Sequence, residues 1–414
     1  MLLPVIFLKL WIKGFKLPIY RQRWLERIGI VPFPPLDNLV WVHAVSVGEA
    51  ISAVPLVKKM LARYPDISIL VTTTTPTGSE RVQVAFKDML GKRVHHCFMP
   101  YDFPFSYWLF FSRVKPKALV VMETEIWPNL LCACEKREIP ITIANGRLSP
   151  LSAKRYAWLG KTMQRMVQPI KQVAAQSELD ANRFRALGFS PEGVINTGNI
   201  KFDFELPNYL QKDGQALREQ LGIQRLVWIA ASTHEGEEAL ILDVYQNLKK
   251  KCPALLLLLV PRHPDRFNRV AQLCQENKLH VVRRSEKQSV TNEVDIFLGD
   301  SMGEMMLFYA ASDIAFVGGS LEPIGGHNLL EPAALGLPTL TGNHLFNFIE
   351  ISEKLADAQG VVIINNAKAL ESNLWNLIKE PDNRRLMGAR AKAVVVDNKG
   401  ALEELLALLD KYMI

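Results

Sequence analysis

Short apolar runs alternate with amphipathic stretches along most of the chain, which predicts parallel sheets covered by helices on both faces. In the first half, buried strands are predicted at residues 39–45, 67–72, 118–122, 141–144 and 173–176. The pattern starts again in the second half, with predicted strands at residues 226–230, 255–260, 294–298, 314–317 and 339–340. Two α/β domains of the same general kind therefore follow each other along the chain.

The stretch from Gly198 to Asp213 has little periodicity and contains Pro207, so we place the domain boundary near its start. A chain of 414 residues also exceeds what one hydrophobic core usually serves. The predicted organisation is an amphipathic segment at residues 1–30, Rossmann-like domains at residues 31–201 and 202–395, and a C-terminal helix at residues 396–414. The fold class is α/β, with two doubly wound domains facing a central cleft.

Positive charge is concentrated at the N-terminus. The net charge is +7, and residues 1–30 contribute +5 of it, because six basic residues stand there against Glu26 alone. Apolar residues such as Trp11 and Phe15 lie between these bases, a mixture that suits the headgroup region of an anionic membrane better than nucleic acid. The alternatives are a mobile tail and a helix packed on its own domain. No apolar run reaches the ~20 residues that a spanning helix needs.

Composition excludes several classes of protein. With 49% apolar and 22% charged residues, the chain is neither disordered nor fibrous. The five cysteines are an odd number without metal-ligand spacing, which indicates buried thiols in a reducing cytoplasm. No His/Cys cluster and no DxD carboxylate pattern suggests a metal site, so no metal is predicted.

Charged residues in the first half follow predicted strands, at the sheet edge where ligands bind in open parallel sheets. Glu49 follows strand 39–45, where it either accepts a proton from a substrate hydroxyl or only favours a helix N-terminus through the helix dipole. Glu123 and Glu125 end a very apolar strand and either tune an acid–base group or form a polar strand end. Lys201, at the domain junction, either reaches across the cleft or is solvated.

Glycine-rich loops in the second half are candidates for phosphate binding. The segment 318–320 (Gly-Gly-Ser) ends strand 314–317, and Gly325 and Gly326 precede a predicted helix. Backbone N–H groups of glycines can approach a phosphate closely, and a helix N-terminus adds partial positive charge. Glu331, in the first turn of that helix, could accept both hydroxyls of a ribose. Neither a GxGxxG fingerprint nor a GxxxxGK[ST] loop is present, which disfavours NAD and ATP.

Further polar residues follow strands of the second half, on the same predicted ligand side. Arg262 could pair with a phosphate or a carboxylate of the substrate. His234 is either a base or a hydrogen-bonded loop histidine. Without a bridging cation, the charge of a phosphate must be met by arginine, lysine and helix N-termini.

Seven segments carry a resemblance to a known family. They are residues 43–49, 75–78, 123–129, 145–149, 232–237, 261–264 and 318–338. In this order they resemble the 3-deoxy-D-manno-octulosonic acid (Kdo) transferases of Gram-negative bacteria. The resemblance covers essentially the whole chain.

The resemblance implies an inverting, metal-independent glycosyltransferase of the GT-B fold, which moves Kdo from CMP-Kdo to the lipid A precursor in lipopolysaccharide inner-core biosynthesis. It implies that the N-terminal domain binds the acceptor, and that the C-terminal domain binds CMP-Kdo, a donor substrate, with no cofactor. Glu49 matches the family's general base, and Glu123 and Lys201 match positions that stabilise the transition state. The positions that match contacts to CMP are Pro261, Arg262, Met302, Gly303, Glu304, Asn328, Leu329, Leu330 and Glu331.

The resemblance also places the enzyme at the cytoplasmic face of the inner membrane, anchored or peripheral through residues 1–30. The expected partners are CMP-Kdo, the lipid A precursor and the anionic membrane surface, with no nucleic acid. One alternative is a nucleotide-sugar 2-epimerase of similar fold, which would use a UDP-sugar and need no membrane-facing segment. The other is a non-catalytic lipid-binding protein, which would not need Glu49 together with Arg262 and Glu331.

Overall fold

The computed structural model describes residues 3–16 and 18–413. Contacts divide the chain into two compact units, which are Met1–Phe204 with Asn398–Ile414, and Glu205–Asp397. The boundary predicted after residue 201 lies after residue 204, because the side chains of Ile200 and Phe202 are buried within the first unit. The C-terminal segment from residue 398 likewise belongs to the first unit.

A parallel sheet forms the centre of the first unit. Its strands are β1 (Leu39–His43), β2 (Ser68–Thr73), β3 (Val94–Phe98), β4 (Pro116–Met122), β5 (Ile141–Gly146), β6 (Ile170–Ala175) and β7 (Val194–Asn196). They lie in the order β3-β2-β1-β4-β5-β6-β7, and neighbouring strands are parallel. The helices around this sheet are α1 (Leu3–Lys16), α2 (Val47–Arg63), α3 (Pro76–Ala85), α4 (Pro104–Arg113), α5 (Pro128–Glu135), α6 (Pro150–Ala157), α7 (Lys161–Val167) and α8 (Glu178–Ala186).

The second unit repeats this architecture. Its helices are α9 (Leu210–Leu221), α10 (Glu237–Lys251), α11 (Phe267–Glu276), α12 (Met305–Ala310), α13 (Leu330–Ala334), α14 (Ile349–Asp357), α15 (Ala367–Lys379) and α16 (Pro381–Asp397). Its strands are β8 (Val227–Thr233), β9 (Leu256–Pro261), β10 (Val281–Arg283), β11 (Ile296–Leu298), β12 (Ile314–Val317), β13 (Thr339–Gly342) and β14 (Val361–Ile364). They form a parallel sheet in the order β10-β11-β9-β8-β12-β13-β14.

Apolar side chains cover both faces of each sheet, which confirms the doubly wound prediction. Successive residues of a strand point to opposite faces. In β1, Trp41 therefore packs in one core cluster, while Val40 and Val42 pack in the other. In β8, Trp228 and Val227 are divided between two clusters in the same way.

The four strands that the hydrophobic pattern does not predict, β3, β7, β10 and β14, all lie at sheet edges in the described part of the chain. An edge strand has one neighbour and needs a weaker apolar pattern than a central strand. In β3 the run is interrupted by His95 and His96, and in β14 the side chain of Ile363 is exposed. The central strands, which position the candidate site residues, are predicted within a few residues.

The C-terminal helix, α17 (Ala401–Leu409), is shorter than the predicted segment 396–414. Gly400, with φ of +108°, separates it from α16, which ends at residue 397. The carboxylate of Asp203 accepts hydrogen bonds from the backbone N–H groups of Gly400 and Leu402 at 2.6 and 2.7 Å. Leu402, Leu405, Leu406 and Leu409, which recur at helical spacing, are buried in the core cluster that also contains residues of α2.

The N-terminal segment consists of α1 and of a chain that packs on the first unit. Arg27 is buried, donates to the carbonyl oxygen of Thr74 at 3.1 Å and stacks on the ring of Phe98. Arg23 forms an ion pair with Glu26 at 2.7 Å. These two arginines, which the charge count assigns to a membrane-facing surface, therefore have internal partners. Among the described residues, no helix is long and apolar enough to cross a membrane.

Candidate active site

The side chain of Glu49 lies just beyond the carboxyl end of β1, in the first turn of α2. Ser46 caps this helix, and its hydroxyl accepts from the N–H of Glu49 at 3.3 Å. In return, one carboxylate oxygen of Glu49 accepts from the N–H of Val45 at 2.8 Å, and the other accepts from the hydroxyl of Ser46 at 2.7 Å. This capping box satisfies the free N–H groups of the helix start. Glu49 therefore caps the helix from the same position at the sheet edge in which it could act as an acid–base group. The two interpretations from sequence do not exclude each other.

The pKa of the Glu49 carboxyl suits proton transfer near neutral pH. Only 7% of the residue is exposed, and burial raises the pKa of the carboxyl to about 7. Hydrogen bonds from Ser46 and Val45 lower this pKa, while the charges of Glu123 and Glu125 raise it. A general base works best when its pKa lies close to the working pH.

Glu123 follows β4 directly and has a φ of +56°, a left-handed conformation that is uncommon outside glycine. Its backbone N–H donates to the carbonyl oxygen of Ala144 at 2.9 Å, which holds this turn against β5. Its carboxylate lies 3.8 Å from the ammonium group of Lys201. The structure therefore brings together the three residues, Glu49, Glu123 and Lys201, that the sequence marks as catalytic candidates in this half.

Glu125 and His43 complete the polar surroundings of these residues. The carboxylate of Glu125 accepts from the indole N–H of Trp127 at 2.6 Å, and burial raises the pKa of this carboxyl. The ring of His43 contacts Trp127 edge-on at 5.4 Å. Burial lowers the pKa of His43 to about 4, so its imidazole is neutral at physiological pH.

A chain of buried amides fixes the turn that carries Lys201. The side chain of Asn145 accepts from the N–H of Ile200 at 3.1 Å, and its backbone carbonyl accepts from the amide of Gln176 at 2.9 Å. Gln176 in turn accepts from the amide of Asn199 at 3.0 Å, and Asn199 accepts from the N–H of Lys201 at 3.0 Å. Sequence reasoning assigns no role to these amides. Asn145 does lie within one of the resembling segments, which was the available signal.

In the second unit, the loop 318–321 is held by a buried carboxylate. Glu237, in the first turn of α10, accepts hydrogen bonds from the backbone N–H groups of Gly319, Ser320 and Leu321 at 2.7, 3.0 and 3.0 Å, and from that of His234 at 2.9 Å. The N–H of Gly318 donates to the carbonyl oxygen of Ala231. The prediction that glycine N–H groups meet a phosphate is therefore wrong for residues 318–321, because the protein itself uses these N–H groups. It stays a prediction for Gly325 and for the start of α13.

Several side chains at this end of the second sheet are candidates to meet an anion. Arg262 follows β9, and its positive charge acts on the ring of His327 and on the carboxyl of Glu331. His234 and His327 approach each other to 2.8 Å between their Nε2 atoms, and the ring of His263 lies 5.2 Å from that of His234. The guanidinium of Arg262 and three imidazoles thus lie after β8, β9 and β12, on the side of the sheet where the sequence predicts that the nucleotide sugar binds.

The segment 328–331 supplies a preformed carboxylate. The amide of Asn328 donates to the carboxylate of Glu331 at 3.1 Å, and its oxygen accepts from the N–H of Leu330 at the same distance. Burial raises the pKa of the Glu331 carboxyl, while Asn328 and the charge of Arg262 lower it. Leu329 and Leu330 are buried, as is Pro261, so these three hold the polar residues beside them in place.

The remaining candidate segment is a turn before α12. Met302 and Gly303 are both exposed, so side chain and backbone are accessible here. The carboxylate of Glu304 is bound within the protein. It accepts from the Arg284 guanidinium at 2.6 and 3.1 Å and from the hydroxyl of Ser301, and these bonds lower the pKa of the Glu304 carboxyl.

Two features bear on metals and thiols. Within residues 3–16 and 18–413, no group of three or more His, Cys, Asp or Glu side chains is placed to hold a metal ion. The cysteines are free thiols; Cys97, Cys134 and Cys274 are buried, whereas Cys132 is exposed on α5. The prediction that all the thiols are buried is wrong for Cys132, which lies on the outer face of its helix.

Comparison with known proteins decides the family. A family model described as 3-deoxy-D-manno-octulosonic-acid transferase (kdotransferase) matches residues 22–204, and one described as glycosyl transferases group 1 matches residues 225–394. The chain is 45% identical over 414 residues to the 3-deoxy-D-manno-octulosonic acid transferase of Haemophilus influenzae, covering 99% of this chain and 96% of that one. The chain belongs to the Kdo transferase family. The Kdo transferase of Bordetella pertussis is 34% identical, with 100% of this chain and 97% of that one covered.

Solved structures agree with a GT-B-like fold for this Kdo transferase. The UDP-GlcNAc 2-epimerase of Neisseria meningitidis matches with a TM-score of 0.59 and 17% identity, covering 90% of this chain and 100% of that one. At this identity the similarity shows the fold alone, whereas the whole-chain relatives above are transferases. These comparisons confirm the predicted family and fold class. Only the similarity of fold supports the epimerase alternative.

The amide chain predicts a kinetic effect in this Kdo transferase. Asn199→Ala removes the acceptor for the N–H of Lys201, so we expect the turnover number for transfer to fall by about 10- to 100-fold, because a misplacement of about 1 Å costs this much. The KM for the donor should change little. Steady-state kinetics measures both parameters, with Glu192→Ala, at an exposed residue just before β7, as the control. An increase in KM without a fall in turnover would contradict a positioning role.

Proposed function

We propose that this enzyme is a metal-independent, inverting glycosyltransferase that moves Kdo from CMP-Kdo to a hydroxyl of the lipid A precursor. The observation that carries this proposal is the carboxyl of Glu49, buried at the carboxyl end of β1 with a pKa of about 7. Such a group is ionised in part at physiological pH, and it becomes a stronger acid–base catalyst than an exposed carboxylate. Lys201 and Glu123 lie in the same part of the first unit.

The proposed reaction is a single displacement of CMP at the anomeric carbon of Kdo. The acceptor oxygen attacks the anomeric carbon of Kdo while Glu49 takes the hydroxyl proton, and the bond from that carbon to the phosphate oxygen breaks. CMP leaves with the bonding electron pair, and attack from the opposite side inverts the anomeric centre. Glu49 acts as the base because a hydroxyl is a poor nucleophile until its proton is removed.

The second unit is proposed to hold the CMP-Kdo donor. The guanidinium of Arg262 can form charge-assisted hydrogen bonds to the phosphate, which gains negative charge as CMP leaves. The carboxylate of Glu331, oriented by Asn328, can accept the hydroxyls of the ribose. The accessible turn at Met302 and Gly303 is proposed to contact the cytidine. Positive charge fixed in advance costs no reorganisation during the reaction.

The proposed function is tested by following CMP release from CMP-Kdo with and without a tetraacylated lipid A precursor, in the presence of EDTA. We expect release that depends on the lipid, persists in EDTA, and is accompanied by a gain of Kdo mass in the lipid. Release without a lipid product would contradict the transferase assignment. Loss of activity in EDTA that is restored by a divalent cation would contradict the metal-independent mechanism only.

A membrane-facing role is proposed for α1, at the cytoplasmic face of the inner membrane. The helix exposes Leu8, Trp11, Ile12 and Phe15, and the Arg21 guanidinium stacks over the rings of Trp11 and Phe15 at 5.0 and 4.1 Å. Exposed aliphatic and aromatic side chains beside a cation match the composition of the lipid headgroup region. Because Arg23 and Arg27 are engaged internally, this contact relies more on apolar side chains than the charge count suggests.

Replacing Trp11 and Phe15 by serine is expected to weaken binding to vesicles that contain anionic lipid by at least about tenfold. Each large apolar side chain contributes ~1.5–3 kcal/mol when it leaves water. Co-sedimentation measures this, and CMP affinity should stay unchanged. Trp158→Ser is the matched control, because Trp158 is 88% exposed on another part of the unit. Equal losses in the double variant and the control would contradict the role of α1.

A further inference from the structure

Three histidines of the second unit lie together outside the residues assigned above. His234 follows β8, His263 follows β9, and His327 follows the glycines that precede α13. The rings of His234 and His327 are parallel within 8°, with their centroids 5.1 Å apart and their Nε2 atoms 2.8 Å apart. The ring of His263 meets that of His234 nearly at a right angle. We call His234 and His327 the histidine pair.

The contact of 2.8 Å restricts how many protons the histidine pair can hold. Two Nε2 atoms approach this closely only when one proton lies between them, so one ring donates and the other accepts. The accepting ring, if neutral, carries its own proton on Nδ1. Only the Nδ1 of the donating ring is then free to take a further proton. The pair therefore switches between a neutral state and a single positive charge.

The charges around the histidine pair favour an anion. The nearby carboxylates have partners, since Glu237 accepts four backbone N–H groups and Glu238 pairs with Arg266 at 2.5 and 3.1 Å. Arg262 and His263 are the other titratable groups that face the pair. Burial is the main reason that the pKa of His327 is lowered to about 4, and the charges of His234, Arg262 and His263 act in the same direction. The unliganded pair is therefore neutral at physiological pH, and a bound anion would favour its protonation.

The backbone around the histidine pair also fits this role. Gly319 has a φ of +64°, and a Cβ placed on it would lie 2.8 Å from the His327 ring and 3.3 Å from that of His234. Side chains are therefore kept away from the rings at this position. Because Glu237 occupies the N–H groups of Gly319, Ser320 and Leu321, these groups do not serve an anion, whereas the imidazoles and the guanidinium of Arg262 carry N–H groups that can.

We propose that the histidine pair, together with Arg262, binds the phosphate of the cytidine nucleotide and takes up one proton from solvent when it does so. This inference rests on the proposed function, in which the second unit binds CMP-Kdo. The added proton gives the pair a positive charge beside the phosphate that becomes more negative as CMP leaves. The pair is a binding element, and the base that deprotonates the acceptor remains Glu49.

The test is calorimetric titration of CMP into the full-length protein at about pH 7.5, in two buffers of different ionisation enthalpy. At this pH a phosphate monoester, with a second pKa of about 6, is already mostly a dianion and has no proton left to release, so the ligand does not offset an uptake. The histidine variants then show whether the proton is held by the protein. We expect the wild type to take up a substantial fraction of one proton with CMP and none with cytidine. Uptake with free Kdo but not with CMP would overturn the assignment to phosphate.

Variants separate the histidine pair from the rest of the site. His327→Gln and His234→Gln should each abolish proton uptake and weaken CMP binding by about tenfold, the effect of losing one charge-assisted hydrogen bond. The difference from wild type should vanish near pH 9. His280→Gln, at an exposed histidine of the same unit, should behave as wild type. CMP binding by wild type without proton uptake would overturn this inference alone, whereas absence of CMP binding would overturn the donor site as well.

Discussion

Replacing Glu49 by glutamine is expected to lower the rate of Kdo transfer by about 10²- to 10⁴-fold, the range that a general base contributes. An amide of the same shape cannot accept the proton of the acceptor hydroxyl. Glutamine can, however, take the place of glutamate in a capping box, so the start of α2 should remain intact. Calorimetry should show unchanged CMP affinity, and steady-state transfer to the lipid precursor should show the loss.

Two further variants divide the roles of Glu49. Glu49→Ala removes both the base and the cap, so it should lose the same activity and also about 1 kcal/mol of stability. Glu80→Gln changes an exposed glutamate of the neighbouring helix α3 and should leave both properties unchanged. Transfer by Glu49→Gln within about tenfold of the wild-type rate would contradict the proposed base, because a single general base contributes more than that.

Glu237→Ala is expected to lower the free energy of unfolding of the second unit by about 3–5 kcal/mol. The substitution leaves four backbone N–H groups without an acceptor. The two of Gly319 and Ser320 are buried, and each buried group costs about 1–3 kcal/mol before the loop relaxes. Denaturation by urea, followed by tryptophan fluorescence, measures the change.

Glu235→Ala is the matched control for this prediction, because Glu235 is exposed two residues away in the same loop. It should change stability by less than about 0.5 kcal/mol. Glu237→Gln, which keeps a carbonyl oxygen but loses the charge and the second acceptor, should lie between the two. A change below about 1 kcal/mol for Glu237→Ala would show that the loop 318–321 does not depend on this carboxylate.

The sequence pattern predicts the central strands well because each is buried on both faces and must be apolar along its length. That pattern places Glu49 and Glu123 at the carboxyl ends of β1 and β4, where the structure has them. The edge strands β3 and β10 escape it, since one-sided pairing tolerates residues such as His96 and Arg283. The hydrophobic pattern therefore predicts the central strands that carry the site residues better than it predicts the edge strands of each sheet.

Interactions between distant residues are what the sequence does not predict. The glycines at 318 and 319 look like a phosphate loop until Glu237, from the start of α10, is seen to occupy the N–H of Gly319. In the same way, Arg23 and Arg27 count as surface charge in composition, but Arg23 donates to the hydroxyl of Ser79 at 3.0 Å and Arg27 donates to the carbonyl oxygen of Thr74 at 3.1 Å. Each of these errors concerns a polar group whose partner lies far away in sequence. Local pattern contains no information about such pairs.

The buried amides are a second kind of contact that the sequence does not predict. Asn145, Gln176 and Asn199 come from β5, from the residue after β6 and from the turn after β7, and they meet only when the sheet has formed. A polar residue in a predicted strand or loop is usually interpreted as exposed. Here it is buried, and it orients the backbone that carries Lys201.

The central claim is that Glu49 removes the proton of the acceptor hydroxyl, and the pH dependence of transfer tests it most directly. The turnover number should be measured between about pH 5.5 and 8.5 with both substrates saturating, so that changes in donor binding do not contribute. Because the base works in its ionised form, the rate should rise with pH through about 7, the pKa of Glu49, and then level off. A rate that stays flat or falls across this interval would contradict the account.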